Sequence, residues 1–149
     1  MWKLSAGERL SRWREFRKAI GAMPIEQAIT ETSDFWRSCP FTPFYLEHNQ
    51  LSTWPDPWQL IDENYYCDIA KCLGIVYTLL LTEHRTNIDF EIRVYYDPEA
   101  RVTYNLAWLC KGKYVLNFID DEIVNNTSVD KKLKLVHRYT SSDLNLDQY

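Results

Sequence analysis

Helices followed by an antiparallel meander, an α+β fold, is what this sequence predicts, and three observations carry the prediction. The run from Cys67 to about Leu81, CDIAKCLGIVYTLLL, is apolar almost all round, as expected of a helix packed on several sides. After Glu83-His84-Arg85 the hydrophobic period drops to two, with Ile88, Phe90, Ile92 and Val94 alternating with Asp89, Glu91 and Arg93. Turn residues, Asp97-Pro98-Glu99 and then Lys111-Gly112-Lys113, set that strand apart from two further β-rich runs, Val102 to Cys110 and Tyr114 to Asp120.

The remaining elements follow from local signals. Ser5 with Glu8 three residues later is a capping-box pattern, and Leu10, Trp13, Phe16 and Ile20 recur behind it at helical spacing. Gly21 ends that helix. Pro24 suits the first turn of a second helix, which Ile25, Ala28, Ile29 and Trp36 make apolar on one side before Pro40. Phe41 to Pro55, rich in Pro, Asn and aromatics, reads as an ordered loop lying on the core. Asp56-Pro57 caps and opens a short helix with Trp54, Trp58, Ile61 and Tyr65 along one side and Asp62 and Glu63 facing outward. Beyond Asp120 the chain is polar and irregular, with one further strand candidate at Leu133 to Tyr139.

With 149 residues, 46% of them hydrophobic, the chain suits one domain, 1–149. It divides into a helical and aromatic-loop part (1–57), a core (58–121) and a polar C-terminal extension (122–149). Six Trp, ten Tyr and six Phe exceed what so small a core usually takes up, so some are expected at a surface that meets a partner. Two are singled out: Trp54 and Trp58, held stiffly by the prolines of WPDPW, as a plug against the core or an anchor at an interface.

A net charge of −4 argues against a general nucleic-acid binder. The charge is uneven. Residues 1–20 carry six cations, Arg12 and Arg14 among them, against Glu8 and Glu15, while Asp56, Asp62, Glu63 and Asp68 form an acidic stretch. Arg12 and Arg14 are candidate contacts to an acidic protein; a solvated face is the plainer reading. No stretch has the length of a membrane span or the form of a signal peptide, so a cytoplasmic protein, or one of host cytoplasm or virion, is expected. The cysteines, 28, 5 and 38 residues apart, fit neither a zinc knuckle nor a redox pair, so four free thiols and no metal or other cofactor are expected.

Cys67 has a physical reason to be reactive. At the first turn of a buried helix, free N–H groups and the positive end of the helix dipole stabilise a thiolate. Cys67-Asp68-Ile69-Ala70, followed by Leu73, Tyr77 and Leu80, and then Leu106-Ala107-Trp108, Lys111-Gly112-Lys113 and Tyr114-Val115, resemble the helix and strand signatures of the transglutaminase-like, or papain-like, superfamily of cysteine enzymes. The resemblance spans roughly residues 58–121 and implies a catalytic Cys opening a helix, with a His and an Asp on the strands that follow. Here the chain departs from the pattern: Leu106 stands where the His is expected, with Asn105 beside it, and the Asp position falls at Asn117 or Phe118, with Asp120 slightly later. Ala70 also follows the Cys one residue sooner than usual.

Two functional readings result. In the first, the fold is inherited and the chemistry lost, since neither Leu nor Asn takes a proton near neutral pH. The chain is then a protein-binding or structural subunit of a larger assembly, and its aromatic-rich texture resembles proteins of tailed bacteriophages. In the second it is an active cysteine acyltransferase or hydrolase, with Cys67 as nucleophile, Asn105, Asn117 and Asp120 as supporting residues, and His48 or His137 brought within reach of the sulfur. His84, about 25 Å along the helix from Cys67, is too far to serve.

Overall fold

A computed structural model describes residues 1–43, 45–119 and 122–149. Its elements run α1 (Ala6–Gly21), α2 (Ile25–Arg37), α3 (Pro57–Glu63), α4 (Asp68–Leu80), β1 (Phe90–Asp97), β2 (Val102–Leu109), β3 (Tyr114–Ile119), β4 (Glu122–Val124), α5 (Asn126–Asp130) and β5 (Lys134–Thr140). The five strands form one sheet in the order β4-β3-β2-β1-β5, with every pairing antiparallel.

Local chemistry sets the helix ends as the sequence predicts. Ser5 accepts from the Glu8 amide while the Glu8 carboxylate accepts from the Ser5 amide, a closed capping box at the start of α1. Asp56 does the same for α3 with Gln59, and Pro57 occupies the first turn. That role uses the Asp56 carboxylate internally and leaves Asp62, Glu63 and Asp68 as the outward acids of the stretch. Arg9 is buried, contrary to its place among the solvated cations. Its guanidinium donates to the carbonyls of Leu4, Ile61 and Asp62, and so satisfies carbonyls in the last turn of α3.

Helix α4 is the centre of the core. Eleven of its thirteen residues are buried, and only Asp68 and Lys71 escape. It lies between α1 and α2 on one side and the sheet on the other, where Phe90, Ile92, Ala107, Leu109 and Leu116 face it. Gly74 lets Trp36 lie against the helix, because a Cβ there would come within 2.3 Å of the indole. Four residues on, the Thr78 hydroxyl donates to the Gly74 carbonyl and accepts from the indole N–H of both Trp13 and Trp36, each at 2.9 Å. One donor and two lone pairs are thereby all used, as a buried hydroxyl requires.

The sequence also implies that Glu91 and Arg93 face solvent, and the structure corrects this. Glu91 is 5% exposed and is held by Arg93 (2.7 Å) and by Arg138 of β5 (3.0 Å). The Arg93 guanidinium lies 4.2 Å over the Trp108 ring. This second face carries its own small cluster, Tyr95, Leu106, Trp108 and Val115, covered by Val129 of α5. The stretch beyond residue 121, read as irregular with one strand candidate, supplies two strands and a helical turn. β5 pairs with β1 over Glu91–Tyr96.

Trp54 and Trp58 behave differently from each other. Trp54 packs on the core against Tyr139, with ring centres 5.1 Å apart, and its indole donates to the Glu47 carbonyl. Trp58 is 47% exposed and Tyr65 54%, so only part of the expected aromatic side of α3 meets the core. Among the described residues no helix is long and apolar enough to cross a membrane.

Candidate active site

Cys67 is the N-cap of α4, in extended conformation, and no side chain caps the first-turn amides behind it. Those N–H groups remain to stabilise negative charge at the sulfur or on an oxygen bound next to it. Cys67 opens onto a cavity of about 320 Å³ whose walls include Phe41, Leu46, His48, Asp68, Thr103 and Asn105. Cys67 itself is 7% exposed.

The sheet register decides which residue of the Leu106-Ala107-Trp108 region faces this cavity. Leu106 belongs to the cluster on the far face, whereas Asn105 points toward α4. Asn105 therefore lines the cavity, and Leu106, which stands where the His is expected, lies on the far face of the sheet. Asn105 is 9% exposed, and its Oδ1 lies 3.0 Å from Nε2 of His48. Sequence reasoning gave no reason to prefer His48 over His137, because 57 residues separate His48 from Asn105.

His48 is held on three sides. Val94 of β1 pairs with Asn105 on one flank and His137 on the other, so the three stand in a row across the sheet. The His48 ring stacks on His137, centres 5.1 Å apart and planes 15° from parallel, while its Nε2 reaches Asn105. Tyr139, two residues along β5, donates its hydroxyl to the His48 carbonyl at 2.6 Å and fixes the loop. His137 is kept from ionising in its usual range, first by burial and then by the neighbouring imidazole.

Asn117 supports the site from behind. Its backbone is left-handed (φ 70°), and its amide donates to the Asn105 carbonyl at 2.9 Å and to Cys72 Sγ at 3.7 Å. Cys72 is completely buried and bonded to the same carbonyl, so burial raises its pKa far above the ordinary thiol range. Burial likewise pushes the Cys39 thiol up to about 11. All four cysteines are free, and of these Cys67 opens onto the cavity. Asp120 lies outside the described residues. His84 donates from Nε2 to the Ile20 carbonyl, near the other end of α4. Arg12 pairs with Glu15 at 3.9 Å on the surface, and Arg14 lines a separate groove. Among the described residues no three His, Cys, Asp or Glu side chains are grouped to share a metal ion.

Helices packed on one face of an antiparallel sheet, with a cysteine opening the buried helix toward the middle strands, constitute an α+β fold of the transglutaminase-like type. Structures similar to this one include those of LapG from Legionella pneumophila. The calcium-bound form superposes with a TM-score of 0.73 at 11% identity, over 93% of this chain and 78% of that one. A second LapG structure gives 0.72 at 11% identity over 91% and 75%, and the EGTA-treated form 0.72 at 11% over 91% and 74%. At this identity the likeness is one of fold. No family model matches the chain, and no curated protein matches it in sequence.

Proposed function

We propose that the chain is a cysteine-dependent acyl-transfer enzyme, a hydrolase or acyltransferase, in which Cys67 is the nucleophile, His48 the base and Asn105 the residue that orients the base. The observation that carries this is the meeting of His48, Cys67 and Asn105 on one cavity, with His48 Nε2 bonded to Asn105 Oδ1. With Nε2–H donating to Asn105, the other ring nitrogen keeps its lone pair and can take the thiol proton. Sulfur then attacks an acyl carbon, the amides at the start of α4 stabilise the resulting oxyanion, and the imidazolium returns the proton to the leaving group. The base comes from the loop before the nucleophile and the amide from Asn105, the strand residue beside Leu106, where the family resemblance placed a His. Cys–His–Asn is an arrangement known to work chemically, since an amide oxygen can hold an imidazole tautomer as a carboxylate does.

The test is a burst of p-nitrophenol from p-nitrophenyl acetate, with mass mapping of the acylated residue, in wild type and in His48→Asn. Acylation at Cys67 that slows sharply in the variant supports the reading. Equal rates of Cys67 modification in both proteins remove His48 as base.

A second reading keeps the fold and drops the chemistry: a protein-binding subunit. Phe41, 67% exposed, lines the cavity, and Tyr65, 54% exposed with Tyr45 lying against it, adds exposed aromatic surface that a partner could cover. A place in a phage virion rests on residue texture alone. Complete absence of Cys67 labelling by iodoacetamide in the folded protein would favour this second reading.

A further inference from the structure

The opposite end of α4 carries a second concavity. Arg14, Arg17 and Lys18 from the last turns of α1, and Arg85 from the turn after α4, surround a groove of about 720 Å³ floored by Gly21, Leu80 and Leu81. Four cations face a single acid there, Glu83, for a formal charge of +3. The negative end of α4 offsets only about half a charge of this. The cations are not consumed internally: among the described residues Arg14, Arg17 and Lys18 form no ion pair, and Arg85 uses one nitrogen on the main-chain oxygen of Tyr149. Arg17 is held flat, 4.2 Å over the Trp13 ring, and its Nε is shut off from solvent without a hydrogen-bond partner. Burial and then Arg14 make its charge harder to carry than usual. Gathering like charge round one groove costs free energy that an anion bound there would offset.

We propose that this groove binds a small phosphorylated molecule, its phosphate held by Arg14, Arg17, Lys18 and Arg85 and its apolar body laid on Leu80 and Leu81. Three of the four cations are arginine, whose planar fork matches a phosphate through two parallel bonds. The apolar floor distinguishes this ligand from a bare anion. Nothing in the proposal depends on Cys67, which opens at the other end of the helix.

The probes are phenyl phosphate, inorganic phosphate and an alternating Glu-Leu peptide, each titrated by calorimetry into the full chain at low and moderate salt. Phenyl phosphate should bind more tightly than inorganic phosphate and weaken as salt rises. Arg17→Gln should weaken it about tenfold or more, the loss expected for hydrogen bonds to a charged group. Arg14→Gln and Lys18→Gln, both at exposed positions, should each weaken it without disturbing the fold. Equal affinity in wild type and in all three variants overturns the proposal, as does an absence of phenyl phosphate binding at millimolar concentration. Tighter binding of the peptide through the same residues overturns it in favour of an acidic protein partner.

Discussion

The two ends of α4 are chemically opposite although one apolar helix joins them. At its N-terminal end, His48, Asn105, Asp68 and the thiol of Cys67 meet on one cavity with Phe41 and Leu46. At its C-terminal end, cations gather round an open groove. The helix dipole favours this division, since its positive end suits a developing thiolate and its negative end tolerates the arginines. No lysine or arginine lines the Cys67 cavity, so the proposed imidazolium would meet no fixed cation there.

The sharpest way to test this separation is at the reacting groups. His48→Asn should lower the rate of Cys67 acylation by about 10²–10⁴, the usual contribution of a positioned base, and leave phenyl phosphate affinity unchanged. A fall in both would mean that the ends are coupled.

Next in size is the clamp between them. Thr78→Val leaves the buried indole N–H groups of Trp13 and Trp36 without an acceptor. Unfolding in urea should show a loss of about 2–6 kcal/mol, two unsatisfied donors at about 1–3 each. Because Trp13 carries Arg17, the variant should weaken the groove more than it slows Cys67 labelling.

Acidity offers a smaller and directional test at the N-terminal end. His137 ionises below its ordinary value, so as pH falls through about 6.5 the unfolded chain takes up a proton that the folded chain resists. Stability should therefore decline across that range and decline less in His137→Gln. Glu91, held ionised by Arg138 and Arg93 against its burial, adds its own loss only at lower pH, below about 4.3. The two contributions separate in a pH series of thermal melts. The smallest effect belongs to Arg12, whose exposed pair with Glu15 should be worth under about 0.5 kcal/mol; Arg12→Gln should change neither end measurably.

Much of this was legible residue by residue. The capping box at Ser5, the cap at Asp56 and the buried helix behind Cys67 are local patterns, set by hydrogen-bonding chemistry and periodicity over a few residues, and they appear as predicted. The family pattern singled out Cys67, which opens onto the cavity, and came within one residue of Asn105, the strand residue that lines it. It placed the absent His at Leu106, because a one-residue shift in register, which exchanges the faces of a strand, cannot be read from a short motif.

The sequence by itself therefore determined the α+β class, the helix that forms the core and Cys67 at its cap. Only the tertiary structure decided what surrounds that sulfur. β5, the strand candidate of an otherwise polar stretch, pairs with β1 rather than with its sequence neighbours and brings His137 and Tyr139 under the loop, and that loop delivers His48 to Asn105. Contacts across 57 and 91 residues of chain leave no local signature, because their free energy comes from packing and hydrogen bonds formed only once the sheet has closed.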